Sequence, residues 1–370
     1  MSDKEVSRRD WLKYVGTAAA GLAVGGAVGY YSGSTGVSPT PSTQTITNTV
    51  TAAISAASSA GSGSPFNDVH VILEAGGGEG DPFSDVIVKG ANMAAALLGC
   101  KVDLLFENWD YPTMADDLRK SIPVNPDGIV VNGGPGYDAL RDLVAQAFSQ
   151  GIIVTSQNND VPQLRQSYGA QGYGYVGALD NYGGGQALAA HAIQTYKLAK
   201  PDEVVVWGAW QNPSSAEQRD VGFADYCEKT AGLTTGRPVA NVGWYSDPET
   251  GVADVTSYLL AHPNVKLASG NCLSPMGGVM PGILQSQGKK PGDIIIATYD
   301  ILAQNLTNIA NGWYQVLLDQ QQFLQGFLPV AQVCLSKVYK FAGLTIDTAA
   351  GIVDVSNYQA VQALVQQGYR

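Results

Sequence analysis

The sequence predicts an α/β protein with two doubly wound parallel-sheet lobes, preceded by an export signal and a stalk. Short apolar runs rich in β-branched residues alternate with helix-type periodicity from Val69 onwards, which is typical of parallel sheets with right-handed crossovers. Two such series of similar size follow one another, and this indicates two lobes with a cleft between them. A length of 370 residues accommodates both lobes beside the N-terminal segment.

The N-terminal segment, residues 1–31, resembles a twin-arginine export signal. Its start, Ser7-Arg8-Arg9, leads into an uncharged run from Tyr14 to Tyr31. That run is just long enough to span a bilayer and is either cleaved or kept as an anchor. Residues 32–65 are dominated by Ser, Thr, Ala and Gly and carry no charge, so we expect a flexible stalk there. The protein is therefore expected to be exported to the cell surface or a periplasm-like space, and tethered to the membrane where the run is retained.

The net charge of −11 argues against nucleic acid as a partner, because such a chain would not neutralise a phosphate backbone. Charged residues make up only 14% of the chain, which is low for a globular protein. We hypothesise that the surface is adapted to acidic surroundings, where carboxylates would lose their charge.

The cysteine and histidine patterns predict no metal site. The four cysteines form no C-x-x-C pair and the three histidines lie far apart, so the spacings of zinc and redox motifs are missing. Disulfides suit an exported protein, but the sequence leaves their pairing open. These cysteines are Cys100, Cys227, Cys272 and Cys334.

Catalytic signatures are weak, and we expect neither enzyme activity nor a cofactor. The segment Gly172–Gly177 fits G-x-G-x-x-G formally, yet it does not follow a clear strand and does not open a helix at once. The glycines between Gly76 and Gly80 lack the Lys and Ser/Thr of a phosphate-binding loop. No G-x-S-x-G elbow occurs in the chain.

The two series of elements are predicted as follows. In the first series we expect strands at residues 70–73, 102–106, 128–131 and 152–156, with helices at 84–98, 114–121 and 138–150. In the second series we expect strands at 204–207, 239–245, 267–269 and 294–298, with helices at 184–196, 214–229, 251–261 and 278–287. Helix 323–341 is expected to return to the first lobe.

The stretch from Glu203 to Phe223 is central to the functional interpretation. A β-branched run ending at Trp207 is followed by a polar loop, and a helix is predicted to open at Ser214 or Ser215. Arg219 then lies about one turn into that helix, beside the carboxyl end of the strand, which is where ligands bind in open α/β sheets. Its guanidinium offers a planar fork of donors to hydroxyl or carboxylate oxygens.

Six segments in order resemble the sugar-binding proteins of ABC importers with the ribose-binding (type I periplasmic-binding-protein) fold. The resemblance covers the chain from Val69 to the C-terminus. The matching segments are Asp81-Pro82-Phe83, Asp180-Asn181 with Gly184-Gly185, the run from Ser214 to Phe223, Ala261-His262-Pro263-Asn264-Val265 before Asn271, Tyr299-Asp300, and Asp319-Gln320 with Gly326.

This resemblance implies three crossovers between the lobes, near Asp180, Gln320 and Asp347. Lobe one then comprises residues 66–179 and 321–346, and lobe two comprises residues 180–320 and 347–370. The implied function is extracytoplasmic capture of a small sugar, a pentose or hexose, and its delivery to an ABC transporter permease. A ligand-sensing receptor domain and a nucleoside or polyol ligand remain as alternatives. A transcription regulator is disfavoured because an export signal stands where its DNA-binding domain would be.

The resemblance also implies a ligand site with side chains from both lobes. Sugars present hydroxyl edges and apolar faces, so their sites combine bifunctional polar groups with aromatic rings. We expect carboxylates to accept, Arg219 to donate, amides to do both, and two rings to cover the faces, with Trp109 and Trp210 as rival stacking candidates. The predicted ligand-binding residues are Asp81, Phe83, Gln157, Asn158, Arg219, Tyr245, Asn271, Asp300 and Gln320.

Three features depart from the family pattern. Gln157 stands where an Asp is usual, Cys272 replaces the Asp that commonly follows the binding Asn, and the loop from Glu74 to Gly80 is longer and richer in Gly. These departures concern the identity of the ligand more than the fold. The sequon at Asn305 predicts either a glycosylation site or a solvent-facing helix position.

Overall fold

The structure, a computed structural model, describes residues 63–208, 210, 217–240, 244, 247–270, 278–349 and 351–370. The export signal and nearly all of the stalk expected from the sequence lie outside these residues. The described strands form two six-stranded sheets, ordered β11-β5-β4-β3-β1-β2 and β12-β10-β9-β8-β6-β7. No helix within the described ranges is long and apolar enough to cross a membrane.

The first sheet carries lobe one and the helices packed on it. Its strands are β1 (His70–Glu74), β2 (Lys101–Leu105), β3 (Gly128–Asn132), β4 (Ile153–Asn158), β5 (Tyr175–Gly177) and β11 (Thr345–Asp347). Its helices are α1 (Pro82–Leu98), α2 (Tyr111–Ser121), α3 (Tyr137–Ser149), α4 (Pro162–Tyr168) and α10 (Gln322–Tyr339). All of its strand pairs are parallel.

The second sheet carries lobe two in the same manner. Its strands are β6 (Glu203–Trp207), β7 (Thr234–Gly236), β8 (Val265–Gly270), β9 (Ile295–Tyr299), β10 (Val316–Asp319) and β12 (Gly351–Asp354). Its helices are α5 (Asn181–Tyr196), α6 (Gln218–Asp225), α7 (Val252–Ala261), α8 (Met280–Ser286), α9 (Ala303–Ala310) and α11 (Tyr358–Gln366). Edge strand β12 pairs antiparallel with β10, and the other described pairs are parallel.

Each sheet is covered by apolar side chains on both faces, because alternate residues of a strand point to opposite sides. In β6, Val205 and Trp207 pack into one core cluster with Leu317, whereas Val204 and Val206 pack into another. Lobe one repeats this arrangement, with Val71 and Leu73 of β1 in one of its two clusters. Continuous apolar strands are thus explained by burial on both faces.

The chain passes three times between the sheets, and the crossing segments lie side by side. The passages occur between β5 and β6, between β10 and β11, and between β11 and β12. Thr348 N donates to Gly177 O over 2.9 Å, and Gln321 Nε2 donates to Thr348 O over 2.7 Å. Leu179 N donates to Asp347 Oδ1 over 3.1 Å. These bonds join all three segments into one hinge.

One predicted strand, residues 239–245, is wrong in its described part. The edge strand beside β6 is β7, which lies earlier in the chain and begins at Thr234 opposite Glu203. Val239 is 70% exposed and forms only an isolated bridge with Gly208. Pro238 has no N–H to extend the ladder, and the β-branched Thr234-Thr235 pair takes the edge instead.

Two pairs of helices cross at glycines in equivalent places of the two lobes. A Cβ atom on Gly326 of α10 would lie 1.9 Å from Ile87 O of α1, and one on Gly90 would lie 2.1 Å from Phe323 O. In lobe two, a Cβ on Gly185 of α5 would lie 1.9 Å from Arg219 O of α6. Because no side chain fits at these distances, the helix backbones meet directly.

We expect Gly326→Ala to destabilise the protein by about 3 kcal/mol, since overpacking at a rigid backbone contact costs about this much. The measurement is the free energy of unfolding from urea denaturation. Gly282→Ala is the matched control, because Gly282 lies in helix α8 with nothing within 4 Å of the added Cβ, and it should leave stability unchanged or raise it by up to about 1 kcal/mol. Equal stability of the two variants would contradict the close-contact interpretation.

Candidate functional site

The candidate site is built from polar residues at the carboxyl ends of strands, next to the hinge. In lobe one these positions include Glu74, Asn132 and Asn158, the last residues of β1, β3 and β4. In lobe two Asp300 directly follows β9 and Gln320 directly follows β10. All five side chains are buried. Parallel strands deliver their carboxyl ends to one edge, so each lobe gathers its polar groups there.

Asp300 has several hydrogen-bond partners among the described residues. Its Oδ1 accepts hydrogen bonds from Gln320 Nε2 over 2.6 Å and from Gln322 Nε2 over 3.3 Å. Its backbone has φ 69°, a left-handed conformation that is uncommon outside glycine. Asn305 Nδ2 donates to Asp300 O over 3.0 Å. The structure thus brings Asp300 and Gln320 together, in a strained turn of the type often found at functional sites.

Gln325 connects this pair to lobe one and was missed by the sequence analysis. Its Nε2 donates to Gln320 O over 3.0 Å and to Thr348 Oγ1 over 3.2 Å, while its Oε1 accepts from Asn158 Nδ2 over 3.3 Å. The predicted residues Asn158, Gln320 and Asp300 therefore belong to one buried network. The cluster of glutamines at the start of α10 was the sequence signal that could have identified Gln325.

Arg219 lies at the start of α6 and is only 4% exposed. Its Cζ is 4.4 Å from the ring centroid of Tyr299, which is a cation–π contact. Tyr299 is the residue before Asp300, so Arg219 approaches the same strand end. The close contact between Gly185 and the Arg219 carbonyl fixes the position of α6 relative to α5. The structure thus places Arg219 beside the end of β9, and its role toward a ligand stays a prediction.

Asp220, next to Arg219, is an unpredicted buried carboxyl. It is fully buried, and neither of its oxygens has a hydrogen-bond partner among the residues that the structure describes. Burial raises the pKa of Asp220 to about 7, although Arg219 acts in the opposite direction. The buried hydroxyls of Ser269 and Tyr299 lie close enough to interact with each other and make no further hydrogen bond to the described residues. Lobe two therefore contains buried hydrogen-bonding groups that the sequence analysis did not identify.

In lobe one, Asp81 and Trp109 are in contact and form one wall of the candidate site. Asp81 caps α1, with Oδ1 accepting from Phe83 N and from Ser84 N over 3.1 and 2.8 Å. Its Oδ2 accepts from the indole of Trp109 over 3.3 Å. Phe83 is 4% exposed and belongs to the lobe-one core, with its ring 5.5 Å from that of Trp109. Trp109 is half-buried, so it offers more open ring surface than Phe83.

Two buried glutamates stand behind this wall. Glu74 Oε2 accepts from Asn132 N over 2.8 Å, and Glu107 Oε2 accepts from Gly76 N over 2.7 Å. Gln157 Nε2 donates to Glu74 O over 3.0 Å. One oxygen of each glutamate, together with Gln157 Oε1 and Asn132 Nδ2, is buried without a hydrogen-bond partner. Glu74 was detectable in the sequence as the acid that ends an otherwise apolar strand, but Glu107 carried no such signal.

The remaining predicted residues have different outcomes. Tyr245 and Asn271 lie outside the described residues, as does Cys272. Trp210 is half-buried and donates from Nε1 to Pro238 O over 2.9 Å. The sequon residue Asn305 is fully buried and bonded to Asp300, so the expected solvent-facing or glycosylated position is wrong. Cys100, Cys227 and Cys334 are free and buried.

The chemical character of the site is a dense set of amides and carboxyls with one guanidinium beside an aromatic ring. Amide side chains both donate and accept, and carboxylates accept from two directions. Such a set matches ligands whose periphery alternates donors and acceptors, as in polyhydroxylated molecules. In the described part of the chain, no group of three or more His, Cys, Asp or Glu side chains is arranged to hold a metal ion.

Comparison with known proteins agrees with this geometry. The xylose/arabinose-binding protein XylF of Sulfolobus acidocaldarius is 28% identical over 284 residues, which is 73% of this chain and 67% of that protein. A carbohydrate transporter structure from Acidothermus cellulolyticus with myo-inositol has a TM-score of 0.66 and 21% identity, covering 82% of this chain and all of that one. A solute-binding protein structure from Burkholderia graminis with D-arabinose has a TM-score of 0.67 and 21% identity, covering 79% and 97%.

These structural matches identify the fold as that of periplasmic binding proteins. Residues 76–335 match the periplasmic binding protein domain family, a span of 260 of the 370 residues. With two α/β lobes joined by three crossings and a polar site at the strand ends, the chain belongs to the periplasmic binding protein family.

Proposed function

We propose that this protein captures a small neutral sugar, a pentose or hexose, between its two lobes and delivers it to an ABC importer. The observation that carries the proposal is the buried network at the hinge, in which Asp300 and Gln320 of lobe two are linked through Gln325 to Asn158 of lobe one. A ligand bonded to this network contacts the segments about which the lobes rotate, so its binding stabilises one lobe arrangement over others. The name of the relative from Sulfolobus acidocaldarius supports a pentose.

Within this proposal, each predicted residue has a defined role. Arg219 donates to ligand oxygens, while Asp300 and Asp81 accept from ligand hydroxyls. Asn158, Gln157 and Gln320 exchange hydrogen bonds with the remaining hydroxyls, and Tyr245 and Asn271 complete the lobe-two wall. Trp109 covers one sugar face in place of the buried Phe83. The closed form is then the state that the permease recognises.

We expect Arg219→Ala and Asp300→Asn each to weaken sugar binding by about 100-fold, because each removes charge-assisted hydrogen bonds worth about 1.5–3 kcal/mol apiece. Asp300→Asn is preferred to Ala because Asn retains an acceptor for Gln320. The measurement is titration calorimetry, after a thermal-shift screen of D-xylose, L-arabinose, D-glucose, myo-inositol and a nucleoside.

Arg141→Ala is the matched control for the loss of an arginine, because Arg141 lies half-exposed on α3, away from the strand ends. It should bind like the wild type. The absence of a response to every compound in the screen would reject sugar capture, and a nucleoside or myo-inositol response alone would change the ligand class. If Arg219→Ala bound sugar as tightly as the Arg141 variant, the assigned site would be wrong.

We further propose that the protein is exported by its twin-arginine segment, is tethered by the run from Tyr14 to Tyr31, and works in acidic surroundings. Support for export comes from the sequence pattern and from the family.

The pKa shifts of three buried or paired carboxyls support stability in acid. Burial raises the pKa of Glu107 and of Asp220 to about 7. Asp225 is bound by Arg237, Lys229 and Tyr182, which outweigh the effect of burial and lower its pKa to about 2.

The pH dependence of stability follows from these shifts. A carboxyl whose pKa is raised by folding favours the folded state in acid, and this stabilisation is lost as pH rises from the ordinary pKa to the folded pKa. For Glu107 and Asp220 that window is about pH 4 to 7, with a contribution on the order of 3 kcal/mol each. Asp225 stays ionised down to about pH 2 in the folded state, so its stabilisation is lost only as the pH falls below about 4.

We therefore expect the melting temperature to be higher at pH 5 than at pH 8, as measured by differential scanning calorimetry. Asp220→Asn should reduce this difference, because Asn cannot ionise. Asp142→Asn, an exposed position of α3, should leave it unchanged. A melting temperature that peaks at or above neutral pH would contradict the acid adaptation.

For export, we expect Arg8→Lys combined with Arg9→Lys to leave the protein in the cytoplasm, because twin-arginine export reads the arginine pair itself. Lys13→Arg, which keeps the charge of the segment, should not affect export. The measurement is cell fractionation followed by a detergent phase separation that distinguishes anchored from released protein. Export of the double variant at the wild-type level would reject the twin-arginine assignment.

A further inference from the structure

Glu107 and Glu74 are both buried at the carboxyl ends of the paired strands β1 and β2, where Glu74 lies opposite Leu105. Among the described residues, each carboxyl has one bonded oxygen and one oxygen without a hydrogen-bond partner. Glu107 follows β2 and accepts from Gly76 N, while Glu74 ends β1 and accepts from Asn132 N. Asn132 Nδ2 is also buried without a partner, and it would lie 3.0 Å from a Cβ on Gly76. A buried polar atom without a partner is costly. The arrangement therefore calls for a specific explanation.

A chain of contacts runs from Glu107 to the surface of the candidate site. The N–H of Gly76 donates to the Glu107 carboxyl, and the carbonyl of Gly76 accepts a hydrogen bond from Trp109 N over 2.7 Å. The Trp109 ring would lie 2.7 Å from a Cβ on Gly76, so the indole packs directly on this glycine. Trp109 has φ 59°, a strained value for a bulky residue, and its indole donates to Asp81. The position of Trp109 thus depends on the loop that Glu107 holds.

The charges around the two glutamates are negative. The negative charge of Asp117 on α2 raises the pKa of both carboxyls. Asp117 is itself paired with Lys120 over 2.8 Å. The buried hydroxyl of Tyr173 also interacts electrostatically with Glu74. Burial raises the pKa of Glu107 to about 7 against the opposing Gly76 hydrogen bond, and burial followed by Glu107 raises the pKa of Glu74 well above its usual range. With both protons lost, two negative charges would be buried in the same part of lobe one.

We propose that Glu107 is a positioning residue for the ligand site, and that the Glu107–Glu74 carboxyl pair holds the Gly76 loop and Trp109 in place only while it retains a proton. When the second charge appears, water must enter the pocket or the loop must move, because an ionised pair without compensating cations is strongly disfavoured. Either response releases Trp109 from its strained conformation. Ligand capture is then tightest in acid and weakens as pH rises through neutrality.

The test compares wild type with Glu107→Gln, which keeps an acceptor for Gly76 N but cannot ionise. The first readout is the affinity for D-xylose and L-arabinose between pH 5.5 and 8.0, and it rests on the proposed sugar function. We expect wild-type affinity to fall about tenfold over this range and that of Glu107→Gln to change less than twofold. Glu79→Gln is the matched control, because Glu79 is exposed in the same loop, and it should follow the wild type.

The second readout needs no ligand, so it separates failure of this proposal from failure of the sugar function. Amide exchange of residues 76–78 and 107–109, corrected for the intrinsic pH dependence of exchange, should lose protection in wild type from pH 5.5 to 8.0 and stay protected in Glu107→Gln. Glu74→Gln provides a second variant with the same expectation if the first fails to fold. Identical pH profiles for wild type and either folded Gln variant would overturn the proposal.

Discussion

The hydrogen bonds at the hinge are the constraint on which the site depends. Each crossing segment must leave one sheet and enter the other without leaving buried backbone groups unpaired. Amide side chains solve this problem, because they donate and accept at once. The Gln321 amide donates to Thr348 in the last crossing, and the Gln325 amide donates to the Gln320 carbonyl in the second. The Gln320 side chain in turn donates to Asp300. The groups that hold the crossings together are therefore the same groups that present hydrogen-bonding capacity at the strand ends.

The position of Arg219 depends on a different constraint, the direct contact of two helix backbones. Gly185 of α5 allows α6 to approach until the Arg219 carbonyl lies where a side chain would otherwise be. The guanidinium then reaches the face of Tyr299 at the end of β9. Lobe one has an equivalent glycine crossing between α1 and α10, and α10 carries Gln322 and Gln325 near its start. Close helix packing thus fixes the positions of these polar side chains relative to the strand ends in both lobes.

The sequence was sufficient for the fold because its signals were local and repeated. Both faces of β6 are buried, so its strand signal was a plain apolar run, and the same holds for β1 and β9. The placement of Arg219 and Asp300 near strand ends could be predicted, since each follows a strand closely in the sequence, while their role in ligand binding stays a prediction. Strand β7 could not, because its three residues gain their structure from pairing with β6 rather than from their own pattern.

The buried partners of the site were harder to predict, since they depend on contacts between residues far apart in the chain. Gln325 and Asn158 are 167 residues apart, and Glu107 meets Gly76 across 31 residues. Phe83 fits an aromatic ligand position by sequence, yet its side chain fills the core. Burial of this kind is decided by how α1 sits on the sheet, which a local pattern does not encode.

The balance of charge at the site indicates which ligands it suits. Arg219 is accompanied by Asp300 in lobe two and by Asp81 in lobe one. The buried carboxyls of Asp220, Glu74 and Glu107, whose pKa values are raised by burial, add negative charge as the pH rises. An anionic ligand such as a sugar phosphate would have to enter this acidic environment and lose its hydration, with one guanidinium as compensation. A neutral polyhydroxylated ligand avoids that cost, because each of its hydroxyls can donate to a carboxylate and accept from an amide. The composition of the site therefore favours a neutral sugar over a charged one.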